Sequence, residues 1–159
     1  MSIMISENKL NKLCLIYGNQ QLLVEETIDS IIEDRLKGCQ HEWALERFYA
    51  DELLKNKVES GKQKIEDLLI SCETLPMLTD RKVIRIDNFE LVKKPKNNYE
   101  NNNQNLLYET VYKIIKNPPE NMWFVFTSKT IREKDFSNPL FQNIKKTGLV
   151  KKFTANEYF

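Results

Sequence analysis

Apolar residues arrive along this chain in compact runs that alternate with spaced stripes. Residues 12–17, KLCLIY, make one such run, stopped by Gly18-Asn19, and read as a buried strand. Val24, Ile28, Ile31 and Ile32 then recur at helical spacing. Glu25 and Glu26 stand near the start of that stripe, Arg35 and Lys37 near its end, and Gly38 is a natural stop, so a helix is predicted. Residues 43–49, WALERFY, suit a second strand, and Ile65, Leu68, Leu69 and Cys72 share one face of a second helix. Residues 82–88, KVIRIDN, predict a third strand. Leu106, Leu107, Val111, Ile114 and Ile115 mark another amphipathic helix, stopped by Asn117-Pro118-Pro119. The run MWFVFT, residues 122–127, is apolar without a break, as befits a strand covered on both faces. A short helix is predicted over 139–146, and LVKKF after Gly148 supplies a fifth strand. Residues 93–105, KKPKNNYENNNQN, have almost nothing to bury and read as a mobile loop with no function assigned.

Strand and helix alternating through five rounds predict an α/β fold: a five-stranded parallel sheet with helices on both faces. The 159 residues suffice for one such domain and are too few for two comfortable ones. Hydrophobic residues at 41% and charged residues at 30% argue against general disorder. No apolar run approaches the length of a membrane span, and the N-terminus lacks the basic-then-apolar order of a secretory signal. A cytoplasmic location with no membrane partner is therefore expected.

Cys14, Cys39 and Cys72 are odd in number and never form a CxxC pair, which argues against a disulfide framework or a zinc site; Cys14 and Cys72 read as small buried hydrophobes. The single histidine, His41, leaves neither a His-rich metal site nor more than one base for a triad, and reads as a surface residue. No metal or other cofactor is expected. The net charge of +1 makes no general case for nucleic acid, but the charge is uneven. Residues 20–60 carry ten acidic side chains against five basic, and residues 129–152 seven basic against two acidic. That is either a solvated face or a surface that orients the domain beside a charged partner.

In a parallel sheet the turn after the first strand is where phosphate would bind. A P-loop needs GxxxxGK[ST], with glycines to wrap the phosphates, a lysine to neutralise them and a hydroxyl to hold magnesium. Here Gly18 is followed by Asn19, Gln20, Gln21, Leu22 and Leu23, with no lysine and no Ser/Thr after them. Asp87 ends the third strand where a magnesium-linked acid would stand, and Asn88 follows where a catalytic glutamate would be wanted. Without a phosphate cradle, Asp87 reads as a strand-end acid capping a turn, and Thr127 and Ser128 as residues that hydrogen-bond a loop. No catalytic residues are assigned, and a domain that binds is favoured over one that catalyses.

Three segments, LCLIYGNQQLLVEETIDSII (13–32), SCETLPMLTDRKVIRIDNFEL (71–91) and IIKNPPENMWFVFTSK (114–129), together resemble the N-terminal domain of the delta subunit of the bacterial DNA polymerase III clamp loader. The resemblance implies a P-loop NTPase/AAA+-like domain without a functional P-loop, spanning residues 1–153, with 154–159 as the start of a lid domain. It implies no ATP hydrolysis by the domain itself, and partners that include the sliding clamp (beta subunit), other clamp-loader subunits and, through the assembled loader, DNA. Its clamp-binding wedge falls on Leu75, Pro76, Met77 and Leu78, with Asp80 and Arg81 at the rim and Gly18, Asn19, Gln20 and Gln21 as the remnant of a P-loop.

Read from the residues alone, the same triplet Leu75, Met77 and Leu78 either finishes the core or is held out for a partner. If the preceding helix ran on, Met77 and Leu78 would leave its apolar stripe, although Pro76 disfavours that continuation. Asp80, Arg81 and Lys82 would then make a polar rim. Two further readings stay open: a nucleotide-binding NTPase of the same α/β class, and a DNA-binding module using the basic residues from Lys129 to Lys152.

Overall fold

The computed structural model describes residues 11–55, 61–74, 79–94, 102–130 and 132–154. Five parallel strands form one sheet: β1 (Leu13–Tyr17), β2 (Leu45–Tyr49), β3 (Lys82–Asp87), β4 (Met122–Ser128) and β5 (Leu149–Lys152), in the order β2-β3-β4-β1-β5. The strongest apolar runs take the interior. β1 lies between β4 and β5, with Leu15 opposite both Phe126 and Val150, and every residue of β1 and β3 is buried. The edge strands are the more polar β2 and β5; β5 carries Lys151 and Lys152, charges that discourage pairing with another chain.

Helix α1 (Gln21–Arg35) covers one face, where Val24, Ile28, Ile31 and Ile32 pack with Cys14, Ile16, Val83 and Val125. On the other face α4 (Ile65–Glu73), α5 (Asn102–Lys116) and α6 (Pro139–Thr147) enclose a larger core around Phe89, Phe124, Phe126 and Phe141. Each fully buried side chain of this size contributes about 1.5 to 3 kcal/mol of transfer free energy, so both faces are needed to hold the sheet. Two short helices, α2 (His41–Ala44) and α3 (Ala50–Leu53), flank β2.

The expected five-stranded parallel sheet with helices on both faces is the observed one, with local differences. The start of WALERFY is helical, with Trp43 and Ala44 in α2, and β2 begins only at Leu45. Helix α5 begins at Asn102, inside the stretch read as a loop. Asparagine is a weak helix former, but tertiary contacts override the propensity: the amides of Asn103 and Gln104 donate to the carbonyls of Lys55 (3.0 Å) and Lys93 (3.3 Å). Residues 95–101 of that stretch lie outside the described residues. The inward stripe of α5 is Leu107, Tyr108, Val111, Ile114 and Ile115, with Leu106 exposed. Cys14 is buried as expected, and burial pushes its thiol up to about 11; the half-buried Cys72 is pushed by the same cause up to about 12.

Candidate functional site

Two regions carry the residues singled out in the sequence. The first is the carboxyl edge of the sheet. Helix α1 leaves β1 toward one face while the helices after β2, β3 and β4 lie on the other, which makes the end of β1 a topological switch point. The turn there is closed on itself. Gly18 has φ +136°, and a Cβ at this position would lie 1.9 Å from the carbonyl oxygen of Phe153, so only glycine fits. Its amide donates to Ser128 O (3.1 Å), the amide of Gln20 donates to Phe153 O (3.2 Å), and the Gln21 side chain donates to Gly18 O (3.0 Å). Asn19 lies in the bend between them. Backbone amides that cradle phosphate in a P-loop are here spent on the protein's own carbonyls.

Beside this turn, Asp87 is not the turn cap expected of it. Its carboxylate accepts from Arg85 Nε (2.8 Å) and from Arg47 Nη2 (2.6 Å), both side chains of the sheet. Arg85, 4% exposed, reaches on to α1 and binds Glu25 with both terminal nitrogens, at 2.8 and 3.1 Å. These bonds hold the Glu25 carboxyl below its ordinary range. Burial works against the charge of Arg85, but its hydrogen bonds to Glu25 and Asp87 outweigh that and raise its pKa. Ser128 does bond a loop: its hydroxyl donates to Glu90 (2.7 Å) and accepts from the amide of Thr130 (3.3 Å).

The second region joins α4 to β3. Leu75, Pro76, Met77 and Leu78 lie outside the described residues. Helix α4 ends at Glu73 and Thr74 is extended, so the helical phase argument does not reach Met77 and Leu78; the inward stripe of α4 is Ile65, Leu68 and Ser71. Both flanks are tied down by cations. Lys82, expected at the rim, is instead 3% exposed: its ammonium donates to the carbonyls of Ser71 (2.9 Å) and Thr74 (2.5 Å) at the end of α4 and lies 3.6 Å from Glu46. A cation at a helix C-terminus satisfies orphan carbonyls and opposes the helix dipole, which is what makes burying it tolerable.

Arg81 does the same for α1, donating to Arg35 O (3.2 Å) and Lys37 O (2.9 Å), while its Nε binds Asp80 (3.1 Å) and holds that exposed carboxyl low. Thr79 Oγ1 donates to Arg81 O (2.9 Å). Beside these residues a cleft of about 490 Å³ is lined by Gly38, Cys39, Gln40, Trp43, Thr79, Asp80 and Arg81. Trp43 stands 49% exposed there, and Ile70 on α4 is 61% exposed. Neither was marked by the pattern, since Trp43 fell in a strand-like run and Ile70 off the apolar stripe. Of the basic residues considered for DNA, Lys145 and Lys146 are exposed in the last turn of α6, and Lys151 and Lys152 lie on the edge strand, both ordinary places for solvated lysine.

The fold is thus that of a parallel α/β domain in which the turn after β1 is closed by its own backbone and side chains, and the end of α4 and the start of β3 are anchored by cations. The sequence model of the family described as DNA polymerase III, delta subunit, matches residues 14–154, and the chain belongs to that family. Among solved structures, it is similar to the Bacillus subtilis DNA clamp loader delta protein (YqeN). The TM-score is 0.65 at 17% identity, over 96% of this chain and 41% of that one, a likeness of fold. No curated protein matches the chain. Among the described residues no helix is long and apolar enough to cross a membrane, and no cluster of His, Cys, Asp or Glu could hold a metal ion.

Proposed function

We propose that this chain is the clamp-binding domain of a delta subunit, which grips the sliding clamp through Leu75, Pro76, Met77 and Leu78 and helps open the ring without hydrolysing ATP. Membership of the delta family supports a clamp-loader role. The observation that carries the site is the anchoring of both its flanks, Thr74 on buried Lys82 and Arg81 on the end of α1. Fixed flanks shorten the stretch that binding must order, which lowers the ordering cost of binding. A few apolar anchors entering a pocket then carry most of the affinity, and Asp80, the exposed member of the rim, contributes to specificity and salt dependence. Other loader subunits are the further partners, DNA is met through the assembled loader, and the setting is the cytoplasm. The closed turn at Gly18 lends nothing to a nucleotide-binding reading.

The test is binding of this chain to the sliding clamp of the same organism by surface plasmon resonance, with the Met77→Ala/Leu78→Ala variant alongside. Loss of binding in a variant that melts like the parent supports the site. Undiminished binding, or a collapse of stability that would put the two side chains in the core, removes it.

A further inference from the structure

A fold of this class raises the expectation of a magnesium-bound nucleotide at the switch point, and the residues present do not fit one. Counting GxxxxGK[ST] from Gly18 puts Leu23 at the second glycine, Val24 at the lysine and Glu25 at the hydroxyl. Val24 is 2% exposed in the core beneath α1 and has no charge to give a phosphate. The Gln20 amide is already bonded to Phe153 O. At the two positions whose oxygens would share a magnesium ion, the helix residue and the strand-end acid, this chain has two carboxylates, Glu25 and Asp87. Between them lies the guanidinium of Arg85, bidentate on Glu25 and bonded through Nε to Asp87.

We propose that Arg85 is a built-in cation that permanently performs the structural part of a magnesium ion's work, holding the N-terminal end of α1 on the carboxyl end of β3. The charges agree with this. Glu25 and Asp87 are matched by Arg85 and Arg47, so four groups from α1, β2 and β3 close without an added ion. The geometry agrees as well, because a planar fork can grip one carboxylate through its two ends and a second through Nε, where a lysine could make no such bridge. A hydroxyl at position 25 would suit a metal and leave Arg85 half-paired; a carboxylate suits the arginine. The corner that in an NTPase is ordered by its ligand is ordered here by the chain, so the position of α1 does not follow nucleotide. Arg85 is a positioning residue in this account, and the account is independent of how the clamp is gripped.

The test is thermal unfolding of the parent, Arg85→Ala and Glu25→Gln/Arg85→Ala in millimolar MgCl₂ and in KCl of matched ionic strength. Removing the guanidinium strips Glu25 of its partner and leaves Asp87 with Arg47 alone, an excess of negative charge, so magnesium is expected to return at least half of the Tm lost in Arg85→Ala. It should leave the parent and the double variant unmoved. Equal response of all three, or no response in Arg85→Ala, overturns the proposal. Should Arg85→Ala fail to fold, hydrogen exchange of Glu25→Gln decides the matter. Amides in the first turns of α1 should exchange about tenfold faster while those of β4 keep their protection, and unchanged exchange in α1 overturns it.

Discussion

The carboxyl edge of the sheet and the junction of α4 with β3 both depend on cations, Arg85 and Lys82 buried and Arg81 half-buried, and they use them to opposite ends. At the sheet edge Arg85 is spent on side-chain carboxylates, and the neighbouring amides are spent on Phe153 and Ser128. The groups there are bonded to one another within the fold, although Glu25 and Arg47 keep part of their side chains exposed. At the junction Lys82 and Arg81 are spent on backbone carbonyls at the ends of two helices. Bonds to the main chain fix where a segment leaves and re-enters the fold and make no claim on the side chains between. The first arrangement closes a corner; the second anchors the two ends of a connection.

The comparison breaks most visibly if the junction carries no partner. Met77→Ala with Leu78→Ala is expected to weaken clamp binding at least about 100-fold, since each buried anchor is worth roughly 1.5 to 3 kcal/mol, while the melting temperature moves little. Surface plasmon resonance and a thermal melt give both answers. At the closed edge, Gly18→Ala should cost roughly 2 to 4 kcal/mol by denaturant titration, because a Cβ there runs into Phe153 O and the backbone is at φ +136°. A loss below about 1 kcal/mol would mean that the turn and the end of β5 part easily. Lys82→Met should cost about 2 kcal/mol by the same titration, as the carbonyls of Ser71 and Thr74 lose a charged donor in a buried place. If the parent segment is preorganised, clamp affinity falls in this variant too, although Lys82 is too buried to touch the clamp. Unchanged affinity would separate the anchor from the grip.

Much of the sheet was legible because its signals are local. KLCLIY and MWFVFT are apolar enough to demand burial on both faces, and they are the two strands at the centre of β3-β4-β1-β5. The errors arose where distant residues decide. Lys82 reads as one more charge after Asp80 and Arg81; only the path of α4 reveals two carbonyls waiting for its ammonium. Arg85 lies 60 positions from Glu25, and no spacing rule joins them until β3 and α1 are packed together. Residues 102–105 look like loop by propensity, yet they belong to α5, where neighbouring carbonyls take up the side-chain amides of Asn103 and Gln104. The missing P-loop was visible because it is a pattern of residue types. What replaces it was not, because that is a pattern of contacts.

A smaller effect sharpens the contrast through pH. Glu25 is held below its ordinary value of 4.5, first by its hydrogen bonds from Arg85, and its side chain is 43% exposed, so solvent screens part of the attraction. A carboxyl whose folded pKa is depressed stabilises the fold fully above the unfolded value. That contribution is lost as the pH falls through the folded one, because the unfolded chain takes up the proton first. Stability should therefore decline as the solution is acidified below 4.5, with a shallower slope in Glu25→Gln than in the parent. Asp80 is also held low by an arginine, but it is exposed and bonded to a residue already secured on α1. Asp80→Asn should accordingly change the acid limb of the stability curve less than Glu25→Gln does. Chemical denaturation across the acid range measures both slopes; the reverse order would mean that the sheet edge is held by packing rather than by its arginine, and the distinction between a closed edge and an anchored junction would lose its electrostatic basis.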